Sequence, residues 1–171
     1  ILNVDLRWEW YLNMDEWLTI GGFYKSFSNP IEDVEVPGAT PQKTFLNMLG
    51  ATNFGIEIEG RKSLDFVSKY LRDVYFTANA AFIESQISID TDGETVIDVT
   101  NPERKLQGQS PYMLNVQLEY DNPDIGTMVA LLYNSYGARI TTAGATGQPD
   151  QFEETAHLLD LVFSQKLGGG F

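Results

Sequence analysis

The stretch that decides the fold is residues 2–12, LNVDLRWEWYL, in which apolar and polar side chains alternate almost without interruption. Successive side chains of a β-strand point to opposite faces of a sheet, so this alternation predicts a strand with one apolar and one polar face. The apolar face of this strand carries Leu2, Val4, Leu6, Trp8, Trp10 and Leu12. A period of two over eleven residues is incompatible with an amphipathic helix.

The same period recurs along the chain and predicts six further strands. They are expected at residues 17–27, 53–62, 74–85, 112–120, 127–140 and 157–167. The connections alternate between short or moderate ones (13–16, 63–73 and 121–126) and long polar ones (28–44, 90–110 and 141–155). Alternating short turns and long loops are typical of an up-and-down barrel that crosses a membrane.

Composition excludes several other classes of protein. The chain has 171 residues, no Cys, and 11 basic against 24 acidic side chains, which gives a formal net charge of −13. Missing thiols rule out disulfide scaffolds, thiolate metal sites and cysteine nucleophiles, and the negative charge disfavours a nucleic-acid partner. With 43% hydrophobic residues the chain is too apolar for a disordered acidic tail.

The aromatic residues favour lipid as the environment of the apolar face. Five of them are predicted near strand ends, where amphipathic rings prefer the membrane interface: Trp8, Trp10, Trp17, Tyr112 and Tyr120. We therefore expect lipid contact at Leu6, Trp8, Ile56, Leu114, Val116, Leu118, Leu159 and Leu161. The side chains expected to face the lumen and contact a plug are Asp5, Arg7, Glu9, Glu57, Glu59, Arg61, Asn79, Asn115, Gln117 and Glu119.

Alternation alone leaves two other folds open. One is a complete small barrel of eight strands, with residues 95–99 as the extra strand, acting as an adhesin-like protein or a membrane hydrolase. The other is a soluble β-sandwich binding module, in which Leu114, Val116 and Leu118 would face a dry core.

Candidate sites concentrate in the three long loops, which hold eleven acids against three cations, Lys43, Arg104 and Lys105. The acids are Glu32, Asp33, Glu35, Asp90, Asp92, Glu94, Asp98, Glu103, Asp150, Glu153 and Glu154. One interpretation is attraction of cationic or metal-loaded ligands, and the simpler one is a solvated surface.

Residues 90–94, DTDGE, lack the further ligand positions of a calcium loop, so a hairpin tip is favoured over a metal site. His157 is expected to be a surface residue because no spacing places a nucleophile and an acid beside it.

Residues 106–112, LQGQSPY, begin a longer pattern that continues as a strand, a turn and the strand TMVALLYN before SYGARI at 135–140. With FYKSFSNPIE at 23–32 and NFGIEIE at 53–59, this order of motifs resembles the C-terminal barrel region of TonB-dependent outer-membrane receptors. The resemblance covers nearly the whole chain.

This resemblance implies an all-β, antiparallel, up-and-down transmembrane barrel of about 22 strands, of which the chain supplies about seven. We expect residues 1–171 to be part of that barrel, without its plug domain and final strands. The implied function is uptake of a scarce ligand, such as a metal-siderophore or an oligomeric nutrient, across the bacterial outer membrane. The implied partners are membrane lipid, the ligand and an inner-membrane energy-coupling complex that acts through the plug. No enzyme activity, cofactor, metal or nucleic acid is expected.

Overall fold

The computed structural model describes residues 1–40, 42–89 and 98–168, and this part of the chain is almost entirely β-structure. Its strands are β1 (Leu2–Asn13), β2 (Glu16–Ser28), β3 (Ile31–Val36), β4 (Gln42–Asn47), β5 (Gly50–Ser63), β6 (Val74–Ser88), β7 (Tyr112–Asn122), β8 (Thr127–Tyr136), β9 (Arg139–Gly144), β10 (Gln151–Glu153) and β11 (Ala156–Gln165). Two short 3-10 helices, Leu64–Phe66 and Lys69–Leu71, lie between β5 and β6. Among the described residues, no helix is long and apolar enough to cross a membrane.

Seven strands form one antiparallel sheet in the order β1-β2-β5-β6-β7-β8-β11. They correspond to the seven strands predicted from the alternation, so the all-β, up-and-down class is confirmed. The prediction of one strand over 127–140 is wrong, because β8 ends at Tyr136 and β9 begins at Arg139. The chain between them passes close to the start of β7: a Cβ on Gly137 would lie 2.8 Å from the Pro111 ring and 2.9 Å from the Tyr112 ring. This tight contact redirects the chain.

Within the described ranges, β1 and β11 each pair on one side only, so the seven-stranded sheet is open. The alternative of a complete eight-stranded barrel is not supported by this topology. Most of its proposed extra strand lies outside the described residues; Val99, its last residue, makes an isolated bridge with Ala145 in a loop instead.

The long connections form a second, smaller sheet that the sequence analysis missed. Its order is β10-β9-β3-β4, with β3 and β9 running parallel. We call the three segments 29–49, 98–111 and 137–155 the loop assembly. Its hydrophobic core contains Val34, Met48, Ala143 and Ala145, packed with Ile87 from the end of β6.

The strand register sorts the predicted residues cleanly between the two faces of the seven-stranded sheet. One row across the sheet reads Glu9, Thr19, Glu59, Asn79 and Asn115. Because paired residues point to the same side, all ten side chains expected in the lumen share one face, which we call the polar face. All eight expected to contact lipid lie on the opposite, apolar face. Which face meets lipid stays a prediction.

One aromatic residue lies on the wrong side for the predicted interface position. Trp17 pairs with Tyr11 and with Arg61, so its ring belongs to the polar face. Trp17 is in regular register, on the same face of β2 as Thr19, and the register shift between Tyr11 and Asn13 lies beyond it towards the turn. Trp8, Trp10, Tyr112 and Tyr120 do lie on the apolar face.

The apolar face carries no second layer in the described part of the chain. Leu6 is 79% exposed and Leu161 is 72% exposed, and the same face leaves large side chains uncovered on β2, β5 and β6. A soluble sandwich would bury this face against another sheet. The smaller sheet instead contacts the polar face at one end, so the sandwich alternative finds no support in the fold.

Candidate ligand-capture site and polar wall

The charged residues of the polar face pair with one another. Arg61 Nη2 lies 2.9 Å from Glu119 Oε1, and the guanidinium of Arg61 stacks 4.4 Å from the centre of the Tyr75 ring. On the edge strand, Arg7 Nε lies 2.7 Å from Glu9 Oε1 and its Nη2 lies 4.0 Å from Glu59. Two of these pairs join different strands and the Arg7–Glu9 pair lies within β1. The ten predicted residues hold five carboxylates against two arginines, so the face is hydrophilic and acidic.

Amide side chains continue this polar face between the ion pairs. Asn115 Nδ2 donates to Asn79 Oδ1 at 3.3 Å, and Gln117 Nε2 donates to Glu119 Oε2 at 2.5 Å. Asn134 is the next residue in the same row, opposite Asn115 on β8. Such a wall can exchange hydrogen bonds with water or with a polar protein surface.

A buried ion pair lies at the centre of the loop assembly. Arg104 Nη2 is 2.5 Å from Glu32 Oε2, and the two side chains are only 4% and 2% exposed. The other carboxylate oxygen of Glu32 accepts a hydrogen bond from the backbone N–H of Gln107 at 2.9 Å. Little water reaches this pair, so the attraction between its charges is screened far less than at the surface.

The side chain of Gln107 joins two other loops to the middle one. Its Oε1 accepts from the N–H of Asp33 at 2.8 Å, and its Nε2 donates to the carbonyl of Thr141. Next to it, the N–H of Gly108 donates to the carbonyl of Ile140 at 2.8 Å. Gly108 has φ +77°, a conformation that glycine adopts without strain. The LQGQ segment therefore connects all three long loops.

The loop assembly is attached mainly to the polar face, and an exposed ion pair between Lys105 and Glu84, 3.5 Å apart, also reaches the end of the apolar face. The N–H of Leu106 donates to Ser85 Oγ at 3.1 Å, and Asn53 Nδ2 donates to Gln109 Oε1 at 2.8 Å. Asn53 and Ser85 are paired neighbours on the polar face. The loops thus fold over the end of that face, which is the position from which they could deliver a ligand to it.

A second, more exposed network holds the rim of the assembly. Arg139 Nε lies 2.6 Å from Glu153 Oε2, while the hydroxyl of Tyr136 donates to Glu153 Oε1 at 2.8 Å. These hydrogen bonds, first the one from Arg139 and then the one from Tyr136, lower the pKa of Glu153. The same contact raises the pKa of Arg139.

Several of the predicted loop acids are therefore structural. Glu32 and Glu153 have arginine partners, and Asp150 accepts from the N–H of Gly144 and from Asn101 Nδ2, both at 2.8 Å. These carboxylates form ion pairs and hydrogen bonds within the assembly instead of facing only solvent. The DTDGE segment at 90–94 lies outside the described residues, and residues 1–40, 42–89 and 98–168 hold no group of three potential metal ligands.

His157 lies on the apolar face, opposite Ser135 on β8. Its Nδ1 is 2.8 Å from Tyr133 Oη and 3.1 Å from Ser135 Oγ. No carboxylate is among its hydrogen-bond partners in the described part of the chain, so the arrangement lacks the orienting acid of a catalytic triad.

The sequence analysis singled out Glu32 and Arg104 only as loop charges and did not foresee that they pair. The available signal was the resemblance itself, because NPIE and LQGQSPY are motifs that lie in loops. A family motif in a strand can be explained by packing alone. A family motif in a loop has no such explanation and more strongly indicates a specific structural or functional role.

Comparison with known proteins gives the family. Residues 2–167 match the family model described as TonB dependent receptor-like, beta-barrel. No curated protein and no solved structure matches the chain. The family match covers almost the whole sequence, so the chain belongs to the TonB-dependent receptor β-barrel family. Members of this family are outer-membrane receptors and transporters, not enzymes.

Proposed function

We propose that this chain forms part of the wall of a bacterial outer-membrane receptor that imports a scarce ligand by TonB-dependent gating. The observation that supports this most directly is the contrast between the two faces of the large sheet. The polar face is covered at one end by the chain's own loop assembly, whereas no second layer of the described residues packs on the apolar face.

Free energy favours lipid on the apolar face. Burial of a large aliphatic or aromatic side chain is worth about 1.5 to 3 kcal/mol, and the face leaves many such side chains exposed to solvent. A patch of this size on a water-soluble monomer would promote aggregation. In a bilayer the same side chains contact acyl chains, and the backbone groups of a closed barrel are satisfied between strands.

The polar face would then line the lumen, and its ten predicted residues would contact the plug and the ligand path. The exposed ion pairs suit this role, because each contributes little free energy and can be exchanged for contacts with a polar plug. The ligand would first be captured by the loop assembly, and a movement of the plug, driven from the inner membrane, would open the path. The ligand is proposed only as a class, a metal-siderophore or an oligomeric nutrient.

Cell fractionation with an uptake assay tests this proposal. We expect the receptor in the outer-membrane fraction, requiring detergent for extraction. Labelled metal-siderophores and oligosaccharides serve as probes, with and without a protonophore that removes the inner-membrane proton gradient. Surface binding that persists while uptake stops supports energy-dependent gating. A detergent-free soluble monomer, or uptake that is unaffected by the protonophore, would contradict the proposal.

A further inference from the structure

A separate cavity of about 340 Å³ lies between the middle and last segments of the loop assembly. It is lined by Asn101, Glu103, Arg104, Lys105, Gln109, Ala138, Arg139, Ile140, Asp150 and Phe152. This volume is at the lower end of the range for small-molecule sites. Its walls come from two loops that are distant in sequence.

The charge of this cavity differs from that of the chain as a whole. The sequence has 11 basic residues against 24 acidic ones, yet Arg104, Lys105 and Arg139 all line this one cavity. Of the two acids that also line it, Asp150 already has both oxygens engaged, with Gly144 N–H and Asn101 Nδ2. Each of the three cations also has a carboxylate partner: Glu32 for Arg104, Glu153 for Arg139, and Glu84 for Lys105 at 3.5 Å. The cavity therefore presents the N–H donors that these ion pairs leave unused.

Two of the three cations have donor atoms beyond those used in the fold. Arg104 bonds Glu32 through Nη2 and the carbonyl of Lys105 through Nη1, while its Nε is buried without an acceptor among the described residues. Arg139 bonds Glu153 through Nε, which leaves the other edge of its guanidinium group available. A buried donor without an acceptor is unfavourable, so an acceptor at Arg104 would stabilise the site.

We propose that this cavity binds an anionic oxygen group, a carboxylate or a phosphate, held by Arg104 and Arg139 with Lys105 at the side. Planar guanidinium groups match the geometry of such oxyanions. Phe152, which is exposed at the edge of the cavity, offers a flat apolar surface for a ring that carries the anion. The source of the anion is either a soluble ligand or the headgroup of lipopolysaccharide at the outer leaflet.

Calorimetry on the receptor in detergent micelles tests this assignment. Galacturonate and galactose form a matched pair that differs by the carboxylate, and purified lipopolysaccharide is the headgroup probe. We expect galacturonate or lipopolysaccharide to bind, and galacturonate to bind at least about tenfold more tightly than galactose if the source is soluble. A tenfold difference corresponds to about 1.4 kcal/mol, within the range for one charge-assisted hydrogen bond.

Three variants assign the binding to this cavity. Arg139→Gln should weaken binding of the anionic probe about tenfold or more, and so should Arg104→Lys, which keeps a cation beside Glu32 but lacks the Nε donor. Arg72→Gln, which removes an exposed arginine of the connection between β5 and β6, is the matched control and should change the affinity less than twofold. If the Arg104→Lys variant does not fold, the affinity of the Arg139→Gln variant alone tests the cavity, because Arg139 is more exposed than Arg104.

The inference builds on the proposed receptor, but the two can fail separately. Loss of galacturonate binding in the variants identifies a soluble anion, and loss of lipopolysaccharide binding identifies the headgroup. The inference is overturned if neither probe binds, or if both bind equally well to the Arg139→Gln variant. Outer-membrane location and protonophore-sensitive uptake can be measured in either case, so they test the proposed function independently of this inference.

Discussion

Removal of the buried arginine of the loop assembly should loosen the loops while leaving the large sheet intact. In an Arg104→Met variant, Glu32 would remain 97% buried without its cation. Removing one partner of a buried ion pair costs about 3 to 5 kcal/mol, because the other charge stays desolvated. A loss of 3 kcal/mol corresponds to more than a hundredfold increase in the open population of the assembly.

Hydrogen exchange followed by mass spectrometry measures this opening locally. The informative amides are those of Asp33 and Gln107, which are bonded within the same network. Protection of peptides that contain them should fall about a hundredfold or more in Arg104→Met, while peptides from β7 stay unchanged. A double variant with Arg104→Met and Glu32→Gln should restore most of the protection, because no unpaired charge is then left inside and the amide oxygen still accepts from the N–H of Gln107.

An exposed ion pair in the same assembly provides the control. Arg139 is 38% exposed and pairs with Glu153, so an Arg139→Met variant should cost less than about 1 kcal/mol. Equal losses of protection in the two arginine variants would refute the claim that burial makes the difference. A double variant less protected than Arg104→Met alone would refute the explanation by an uncompensated charge.

Three further outcomes follow from individual positions. Val116→Arg should lower the free energy of unfolding in detergent by about 2 to 4 kcal/mol, and Gln117→Arg, one residue further along, by less than about 1 kcal/mol; equal losses would count against the assigned faces. The lowered pKa of Glu153 means that its contact stabilises the rim above the unfolded-state pKa and that this contribution disappears as the pH falls through the folded-state pKa. Protection of the rim amides, relative to the intrinsic exchange rate at each pH, should therefore fall in acid, and a Glu153→Gln variant should lack this fall. Gly108→Ala should destabilise the loops by about 1 to 2 kcal/mol in thermal unfolding despite open space around the Cβ, because of the φ of +77°; an unchanged melting temperature would contradict this.

The seven strands of the large sheet were readable from the sequence because each alternates over many residues. A run such as residues 2–12 specifies its own faces, and register between neighbours follows from matching those faces. The alternation failed at Gly137, where the chain runs against Pro111 and Tyr112. Trp17 was misplaced for a different reason: it occupies a polar-face position of a regular strand, and its aromatic character did not indicate its face.

The smaller sheet could not be predicted in the same way. Its strands have three to six residues, too few for a period to be recognised, and their partners come from different loops. The pairing of Glu32 with Arg104 spans 72 positions and leaves no local pattern. The resemblance marked both segments, yet it carried no information about their contact.

The phase of lipid accessibility along β7 tests the central claim most directly. The sequence contains no cysteine, so nitroxide labels can be placed singly along the strand without background substitutions. We predict that collision with oxygen, which concentrates in lipid, is highest for labels at Leu114, Val116 and Leu118. Collision with a water-soluble nickel complex should be highest at Asn115 and Gln117. The opposite phase, or shielding of the first three positions from both reagents, would contradict the proposal that the apolar face meets lipid.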